Sequence, residues 1–200
     1  MSLTTTDLAQ QQPPSSRFAL ERDKAVLLVV DVQEKLGAAM PQEAFDRLVK
    51  NTKTLVESAK ILGVPVLATE QYPKGLGPTV APVRDLLLPE SAPVDKLAFS
   101  CGAVKEVARR LYQSGRRQVI VAGMETHICV FQTVRDLVAG GYQPFVVRDA
   151  VLSRTSENHE TGLSLMREAG ATVTSTETVV FDLLGAAGTP EFKQISPMLK

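Results

Sequence analysis

Three residues of the types used in nucleophilic catalysis stand at separate places in the chain: Asp31, Lys96 and Cys129. Asp31 directly follows the apolar run A-V-L-L-V-V, and Cys129 lies six residues after Gly123, where a short apolar run gives way to a helical pattern. A thiolate can attack a carbonyl carbon, a carboxylate can take the thiol proton and return one to a leaving amine, and an ammonium can stabilise the charges. These residue types predict a cysteine hydrolase if the fold brings them together.

The predicted position of Cys129 at a helix start bears on the ionisation of its thiol. A free thiol has a pKa of about 8.5 and is only a few per cent ionised at neutral pH. Half-ionisation at pH 7 needs a shift of about 1.5 units, or roughly 2 kcal/mol. A helix N-terminus supplies about 0.5–1 kcal/mol and a nearby ammonium can supply the rest. We therefore expect an activated thiol, with Asp31 held ionised by Lys96.

Each of these residue types also has an ordinary structural interpretation. An aspartate after a strand often caps the next turn, a loop lysine is usually solvated, and a cysteine is more often a small core residue than a nucleophile. We interpret Cys101 as a buried small residue and Asp149 as a cap or brace for the following turn. His127 lies two residues before Cys129, and such residues do not face each other at a helix start. We therefore expect no Cys–His dyad, with His127 facing solvent or a neighbouring subunit.

The composition fits one globular domain and narrows the possible partners. The chain has 200 residues, a formal net charge of zero and 44% apolar residues, enough for a single sizeable core. Balanced charge argues against a nucleic-acid partner. No apolar run approaches the roughly 18–20 residues that span a membrane, and Met1–Arg17 lacks the apolar centre of a signal peptide. The sequence predicts a cytoplasmic protein with free thiols and a disordered tail over residues 1–17.

Short apolar runs alternate with helical patterns, which is typical of βαβ units and a mostly parallel sheet. The predicted strands are Ala25–Val30, Val64–Thr69, Gln118–Ala122, Pro144–Val147 and Ala171–Thr174. The predicted helices are Phe45–Leu62, Ala103–Ser114, Cys129–Ala139, Glu157–Ala169 and Ser175–Leu184. Residues 76–98, which include Lys96, are predicted to be irregular apart from a helical turn near Val83–Leu88.

These elements predict an α/β fold: a three-layer α-β-α sandwich around a mostly parallel, six-stranded, Rossmann-like sheet. One domain is expected over residues 18–188, followed by a tail or short helix over residues 189–200. In such sheets ligands bind beyond the carboxyl ends of the strands, where the winding direction reverses. Asp31 follows one predicted strand, Cys129 begins the helix after another and Lys96 lies in the irregular stretch, so a shared site requires a sheet order that brings these places together.

Three motifs in the same order resemble the isochorismatase-like cysteine hydrolase superfamily, which also contains nicotinamidases and N-carbamoyl amide hydrolases. They are V-V-D-V-Q around Asp31, V-D-K-L-A-F-S-C around Lys96 and A-G-M-E-T-H-I-C-V ending just after Cys129. The resemblance runs from about Ala25 to Phe181. The sequence T-E-Q-Y-P-K-G-L-G-P-T at residues 69–79 is similar to the subgroup called isochorismatase domain-containing proteins.

The resemblance implies a catalytic triad of Asp31, Lys96 and Cys129. In the family the cysteine attacks an amide or related carbonyl and forms a thioester, which water hydrolyses. The resemblance also implies a cis peptide bond between Met124 and Glu125, and an oxyanion hole formed by the backbone N–H groups of Glu125 and Cys129.

Three residues after strands are candidates for lining the substrate pocket: Gln33, Gln71 and Tyr72. Anchoring of their loops is an equally good interpretation of Gln71 and Tyr72. The resemblance further implies assembly of this chain into a homo-oligomer, since members of the superfamily commonly assemble.

Differences between this sequence and the motifs of related enzymes restrict the reaction that we expect it to catalyse. Nicotinamidases carry Asp and His metal ligands in the loop after the second strand, whereas residues 69–72 read T-E-Q-Y, without histidine. We expect no catalytic metal and no other cofactor. True isochorismatases use the acid without this cysteine, so Cys129 favours C–N hydrolysis of a small amide, carbamoyl or ureido substrate. The alternative is a binding or scaffold protein with little turnover, because substrates of the similar subgroup are poorly defined.

Overall fold

The computed structural model, which describes residues 17–199, is built on a sheet of six parallel strands. The strands are β1 Ala25–Val30, β2 Val66–Gln71, β3 Val94–Lys96, β4 Gln118–Met124, β5 Gln143–Leu152 and β6 Thr172–Thr174. Their spatial order is β3-β2-β1-β4-β5-β6. The chain thus places β2 and β3 on one side of β1 and β4 to β6 on the other, and the winding reverses between β1 and β4.

Helices cover both faces of this sheet. The α-helices are α1 Glu34–Gly37, α2 Gln42–Leu62, α3 Pro73–Leu76, α4 Ala81–Arg84, α5 Lys105–Gln113, α6 Phe131–Ala139, α7 Ser156–Glu168, α8 Thr176–Leu184 and α9 Pro190–Ile195. Short 3-10 turns occupy Pro89–Ser91, Cys101–Ala103 and Ser196–Leu199, and a π-helical turn, Thr126–Val130, precedes α6.

Alternation along β1 explains the layering. All six residues of β1 are buried. Leu27 and Val29 belong to the core shared with α2 and α8, whereas Leu28 and Val30 belong to the core shared with α5, α6 and α7. Successive strand residues point to opposite faces, so this uniformly apolar strand serves both cores. The predicted three-layer sandwich is confirmed.

The main difference from the sequence prediction is β3, which lies in the stretch predicted to be irregular. It has three residues and pairs in parallel with β2 at the edge of the sheet, with Gln71 opposite Lys96. A segment this short has no measurable periodicity. It is recognised as a strand only through its pairing with β2. β2 also ends two residues later than predicted, at Gln71, and β5 continues to Leu152 through a register shift against β4. The predicted N-terminal tail lies outside the described residues except for Arg17.

The carboxyl ends of β1 and β4 approach each other so closely that one position requires glycine. Gly123 has a φ of +129°, and a Cβ there would lie 1.9 Å from the carbonyl oxygen of Val30. No other residue type fits this conformation and this contact. The two strand ends that lead to Asp31 and to the π turn are therefore held side by side.

Candidate active site

The ends of β1 and β3 bring Asp31 and Lys96 into a buried ion pair. Lys96 Nζ lies 2.6 Å from Asp31 Oδ2, and both side chains are fully buried. Thr69, on the intervening strand β2, donates a hydrogen bond of 2.8 Å from Oγ1 to Asp31 Oδ1. Asp31 has a φ of 51°, in the left-handed region that non-glycine residues rarely adopt. The chain turns at the strand end and leaves the carboxylate inside the protein.

Three further acceptors surround the ammonium group of Lys96. They are Gln71 Oε1 at 2.7 Å, the carbonyl oxygen of Phe99 at 2.9 Å and that of Ala98 at 3.3 Å. A lysine ammonium has three protons to donate, so these acceptors and the carboxylate together use its full capacity. The interpretation of Lys96 as a solvated loop residue is therefore wrong, and its positive charge has a fixed position.

Cys129 joins this pair from the π turn between β4 and α6. Its side chain is buried, with 6% of the residue exposed, and its thiol interacts electrostatically with Asp31 and Lys96. The carbonyl oxygen of Glu125 accepts hydrogen bonds from the N–H groups of Ile128 at 3.0 Å and Val130 at 3.2 Å, which closes the turn. The charges of Asp31 and Lys96 thus both act on the thiol.

Burial changes the expected ionisation of the thiol. Burial and then the negative charge of Asp31 raise the pKa of Cys129 to about 12, and the opposing effect of Lys96 is smaller. Burial also raises the pKa of the Asp31 carboxyl. Lys96, Thr69 and the thiol lower this pKa, but their effects are smaller than that of burial. The expectation of a thiol half-ionised at neutral pH is wrong for this resting site, because desolvation outweighs the ammonium. The thiol keeps its proton, and the carboxylate beside it is placed to receive one.

The segment before the π turn contains a cis peptide bond and a buried carboxyl side chain. The peptide bond between Met124 and Glu125 is cis. The buried Glu125 side chain accepts hydrogen bonds at Oε2 from the backbone N–H of Arg154 at 3.1 Å and its Nε at 3.0 Å. These bonds tie the segment to the loop after β5. The role of the Glu125 and Cys129 N–H groups as oxyanion donors stays a prediction.

Gln33 and Gln71 use their amide groups within the protein. Gln33 is fully buried, donates from Nε2 to the carbonyl oxygens of Gln71 at 3.1 Å and Gly77 at 2.6 Å, and accepts at Oε1 from Gln71 N–H at 2.7 Å. Gln71 Nε2 donates to the carbonyl oxygen of Leu97 at 2.9 Å. Both glutamines therefore anchor their loops, and contact of either with substrate stays a prediction. Tyr72 is 51% exposed and stays a candidate for substrate contact.

Sequence reasoning missed the contacts that brace the π turn. His127 Nδ1 and Ser153 Oγ form a hydrogen bond of 2.9 Å, and Thr126 Oγ1 and His159 Nδ1 form one of 3.1 Å. His127 is half-buried and its ring contacts the residue after β5, and the expectation that it faces solvent or a neighbouring subunit stays a prediction. The chain has only two histidines, and both hold this turn. The small number of histidines was the signal in the sequence that could have drawn attention to both.

Cys101 matches its structural interpretation, whereas Asp149 lies within β5 and caps a helix distant in sequence instead of the following turn. Cys101 is fully buried, its Sγ lies 3.6 Å from Thr69 Oγ1, and burial raises its pKa. Asp149 Oδ1 accepts hydrogen bonds from Thr176 N–H at 2.8 Å and Oγ1 at 3.0 Å at the start of α8. Both cysteines are free thiols, as predicted.

Residues 17–199 contain no group of three or more His, Cys, Asp or Glu side chains placed to hold a metal ion. Metal-independent chemistry stays a prediction. The same part of the chain has no helix that is long and apolar enough to cross a membrane.

Known proteins are similar to this chain over most of its described residues. The isochorismatase domain model matches residues 25–178. The secreted isochorismatase effector Isc1 of Phytophthora sojae is 42% identical over 180 residues, which cover 88% of this chain and 84% of that protein. Isochorismatase domain-containing protein 2 of Bos taurus is 36% identical over 177 residues, which cover 88% of this chain and 83% of that protein.

A solved structure is similar over nearly the same length. The structure of the MAR1 ribonuclease from Caenorhabditis elegans matches with a TM-score of 0.85 and 32% sequence identity, covering 90% of this chain and 92% of that chain. The sequence and structural comparisons therefore agree on one domain type across the region that contains Asp31, Lys96 and Cys129.

Proposed function

This chain belongs to the isochorismatase family, and we propose that it is a cysteine hydrolase in which Cys129 is the nucleophile, Asp31 transfers protons and Lys96 supplies a fixed positive charge. The observation that carries this proposal is the fully buried ion pair of Asp31 and Lys96, 2.6 Å apart, which interacts electrostatically with the Cys129 thiol inside the core. A buried ion pair is often no more stabilising than apolar residues of similar volume. Its position beside a thiol is therefore better explained by chemistry than by stability.

The reaction starts from a protonated thiol. As Cys129 Sγ bonds to the carbonyl carbon, the thiol proton passes to Asp31 and the carbonyl oxygen becomes an oxyanion. The raised pKa of Asp31 favours this transfer. Lys96 stabilises the negative charge on the sulfur and the carboxylate. When the intermediate collapses, the C–N bond breaks, Asp31 returns the proton to the leaving nitrogen, and a thioester remains on Cys129.

Hydrolysis of the thioester completes the cycle. Asp31 takes a proton from water as the water oxygen attacks the thioester carbonyl, and the acid product leaves as the proton returns to Cys129 sulfur. In both halves the oxyanion would accept hydrogen bonds from the N–H groups of Glu125 and Cys129. Loss of one such donor typically lowers the rate by about a hundredfold or more.

The substrate class that fits this chemistry is a small amide, carbamoyl or ureido compound. A cysteine nucleophile beside a carboxylate that can protonate a leaving amine suits cleavage of a C–N bond. Tyr72 is exposed and its backbone N–H donates to the Lys96 carbonyl oxygen at 2.9 Å, so its ring is available to contact substrate. The ribonuclease activity named for the C. elegans neighbour has less support here, because the net charge is zero.

Two expectations about the setting of this activity stay predictions. Assembly into a homo-oligomer, which could complete the substrate pocket, rests on the family resemblance. A cytoplasmic location is also a prediction, and the relative Isc1 is itself named a secreted protein.

The test is ammonia release from a panel of primary amides and ureido acids. We expect wild-type turnover on at least one of them, and Cys129→Ala to lower it by more than about a thousandfold. Cys101→Ala is the matched control, because Cys101 is also a buried thiol near the site, but its Sγ lies 3.6 Å from Thr69 Oγ1 and it has no role in the proposed reaction. Mass spectrometry of acid-quenched reactions should find the acyl group on the Cys129 peptide.

Two outcomes would contradict this proposal. Full turnover by Cys129→Ala would remove the nucleophile from the mechanism. Absence of turnover on every substrate, together with a tight protein partner of defined identity, would favour the binding or scaffold alternative.

A further inference from the structure

A groove separate from the Asp31, Lys96 and Cys129 cluster lies at the carboxyl ends of β5 and β6. Its volume is about 720 Å³, and its walls come from the loop before α2, the first turns of α2, the end of β5, the helix α7 and the segment that leads into α8. Small-molecule sites commonly have volumes of about 300–1,000 Å³. The groove is therefore large enough for a small organic ligand, and none of the three catalytic candidates lines it.

Three arginines from three elements line this groove, which we call the arginine groove: Arg47 of α2, Arg148 of β5 and Arg167 of α7. Arg148 forms an ion pair of 2.9 Å with Glu160. Arg47 and Arg167 form neither a hydrogen bond nor an ion pair with any residue from 17 to 199. Two guanidinium groups in the groove thus have donors available for a ligand.

The acidic side chains in the groove are already engaged. Asp149 accepts two hydrogen bonds at the start of α8, and Glu160 pairs with Arg148. Part of the remaining wall is apolar, with Pro41, Val151 and Leu152 among its members. Available cationic donors beside an apolar wall are the usual composition of a site for a small molecule with one charged group.

We propose that the arginine groove binds a small organic molecule that carries a phosphate group. Arg47 and Arg167 would hold the phosphate, because the planar guanidinium matches phosphate oxygens with paired hydrogen bonds. The volume leaves room for an uncharged organic body against the apolar wall. This site is independent of the proposed hydrolase reaction, so its test is binding.

Isothermal titration calorimetry with phenyl phosphate and with inorganic phosphate, at constant ionic strength, tests the proposal. We expect saturable binding of phenyl phosphate, tighter than that of inorganic phosphate. Arg47→Gln and Arg167→Gln should each weaken it by about tenfold or more, since each removes hydrogen bonds to a charged group. Arg84→Gln is the control, because Arg84 is a partly exposed arginine outside the groove.

Each other outcome has a defined meaning. Equal affinity for both probes, lost in the same two variants, would support a phosphate site and overturn the role of the apolar wall. An equal loss in Arg84→Gln, or no loss in the groove variants, would overturn the site in favour of diffuse charge attraction. Binding of a single-stranded RNA oligonucleotide through these arginines, without binding of phenyl phosphate, would also overturn it. Thermal unfolding of each variant shows whether it is folded.

Discussion

Two clusters of charged side chains lie at the carboxyl ends of the strands and differ chiefly in burial. Lys96 and Asp31, 2.6 Å apart, have side chains that are 0% exposed, at the point where the winding reverses. Arg148 and Glu160 in the arginine groove, 2.9 Å apart, have side chains that are 59% and 60% exposed. Water can replace a lost partner in the groove but cannot do so in the core. The same ion-pair chemistry is therefore withdrawn from water at the proposed reaction centre and open to water at the proposed phosphate site.

Desolvation also decides the state of the groups beside each pair. In the core it keeps the Cys129 thiol protonated, although a fixed ammonium lies nearby. In the groove, Arg47 and Arg167 are exposed to water and form no hydrogen bond or ion pair with residues 17–199. Burial thus keeps the proton on the Cys129 thiol, whereas exposure leaves the guanidinium groups of Arg47 and Arg167 accessible to a ligand.

Removal of one partner from each pair should give the largest contrast. Lys96→Met leaves Asp31 buried without its counter-ion, and we expect a loss of about 3–5 kcal/mol in the free energy of unfolding. Glu160→Gln breaks the exposed pair, for which we expect a change of at most about 1 kcal/mol. Urea unfolding at pH 7 measures both.

The double variant Asp31→Asn/Lys96→Met keeps this comparison testable if Lys96→Met does not fold. Its free energy of unfolding should recover much of the loss, because neither charge then stays buried alone. Similar losses for Lys96→Met and Glu160→Gln would show that burial does not separate the two clusters.

Asp31 and Cys129 could be located from sequence because each follows a long apolar strand. Periodicity finds such strands, and the ordering of parallel strands then places their carboxyl ends at one edge. Lys96 could be located only by resemblance, since its three-residue strand has no pattern of its own. The anchoring roles of Gln33 and Gln71 depend on contacts between segments that are distant in sequence, which no local pattern encodes.

Neither the ionisation of the Cys129 thiol nor the arginine groove could be predicted from the sequence, and the reasons are related. The pKa of Cys129 is set mainly by how much water the folded chain removes from it, and a sequence gives no such measure. Arg47, Arg148 and Arg167 belong to three elements, and their sequences share no motif. Only the packing of α2, β5 and α7 shows that they line one groove.

The two regions meet at Gly162 of α7, the helix that also carries Arg167 of the groove. A Cβ at Gly162 would lie 2.9 Å from the backbone of Thr126 and His127 in the π turn. Gly162→Ala should therefore displace the turn that holds Cys129. We expect a stability loss of about 1–3 kcal/mol and a fall in kcat of about tenfold to a hundredfold.

Hydrolysis kinetics and phenyl phosphate titration on the same preparation sharpen this prediction. Ser164→Ala is the control, as an exposed position on the same helix. A fall in turnover with unchanged phosphate affinity shows two separate regions, whereas a parallel fall in both shows one cooperative unit. Unchanged turnover would mean that contact with α7 does not position Cys129.

The smallest expected effect is the pH dependence of stability that the Cys129 thiol contributes. In the folded protein its pKa is raised from 9.0 to about 12. Between these values the unfolded chain loses the thiol proton while the folded chain keeps it, so stability that is complete below pH 9 is lost as the pH rises toward 12. At pH 10 the loss is about 1.4 kcal/mol. Wild type should therefore lose that much more than Cys129→Ala between pH 7 and pH 10, by urea unfolding under reducing conditions. Cys101 is present in both proteins and cancels. Equal losses would mean that the folded protein already holds a thiolate, and the helix terminus and Lys96 would then outweigh desolvation in this cluster.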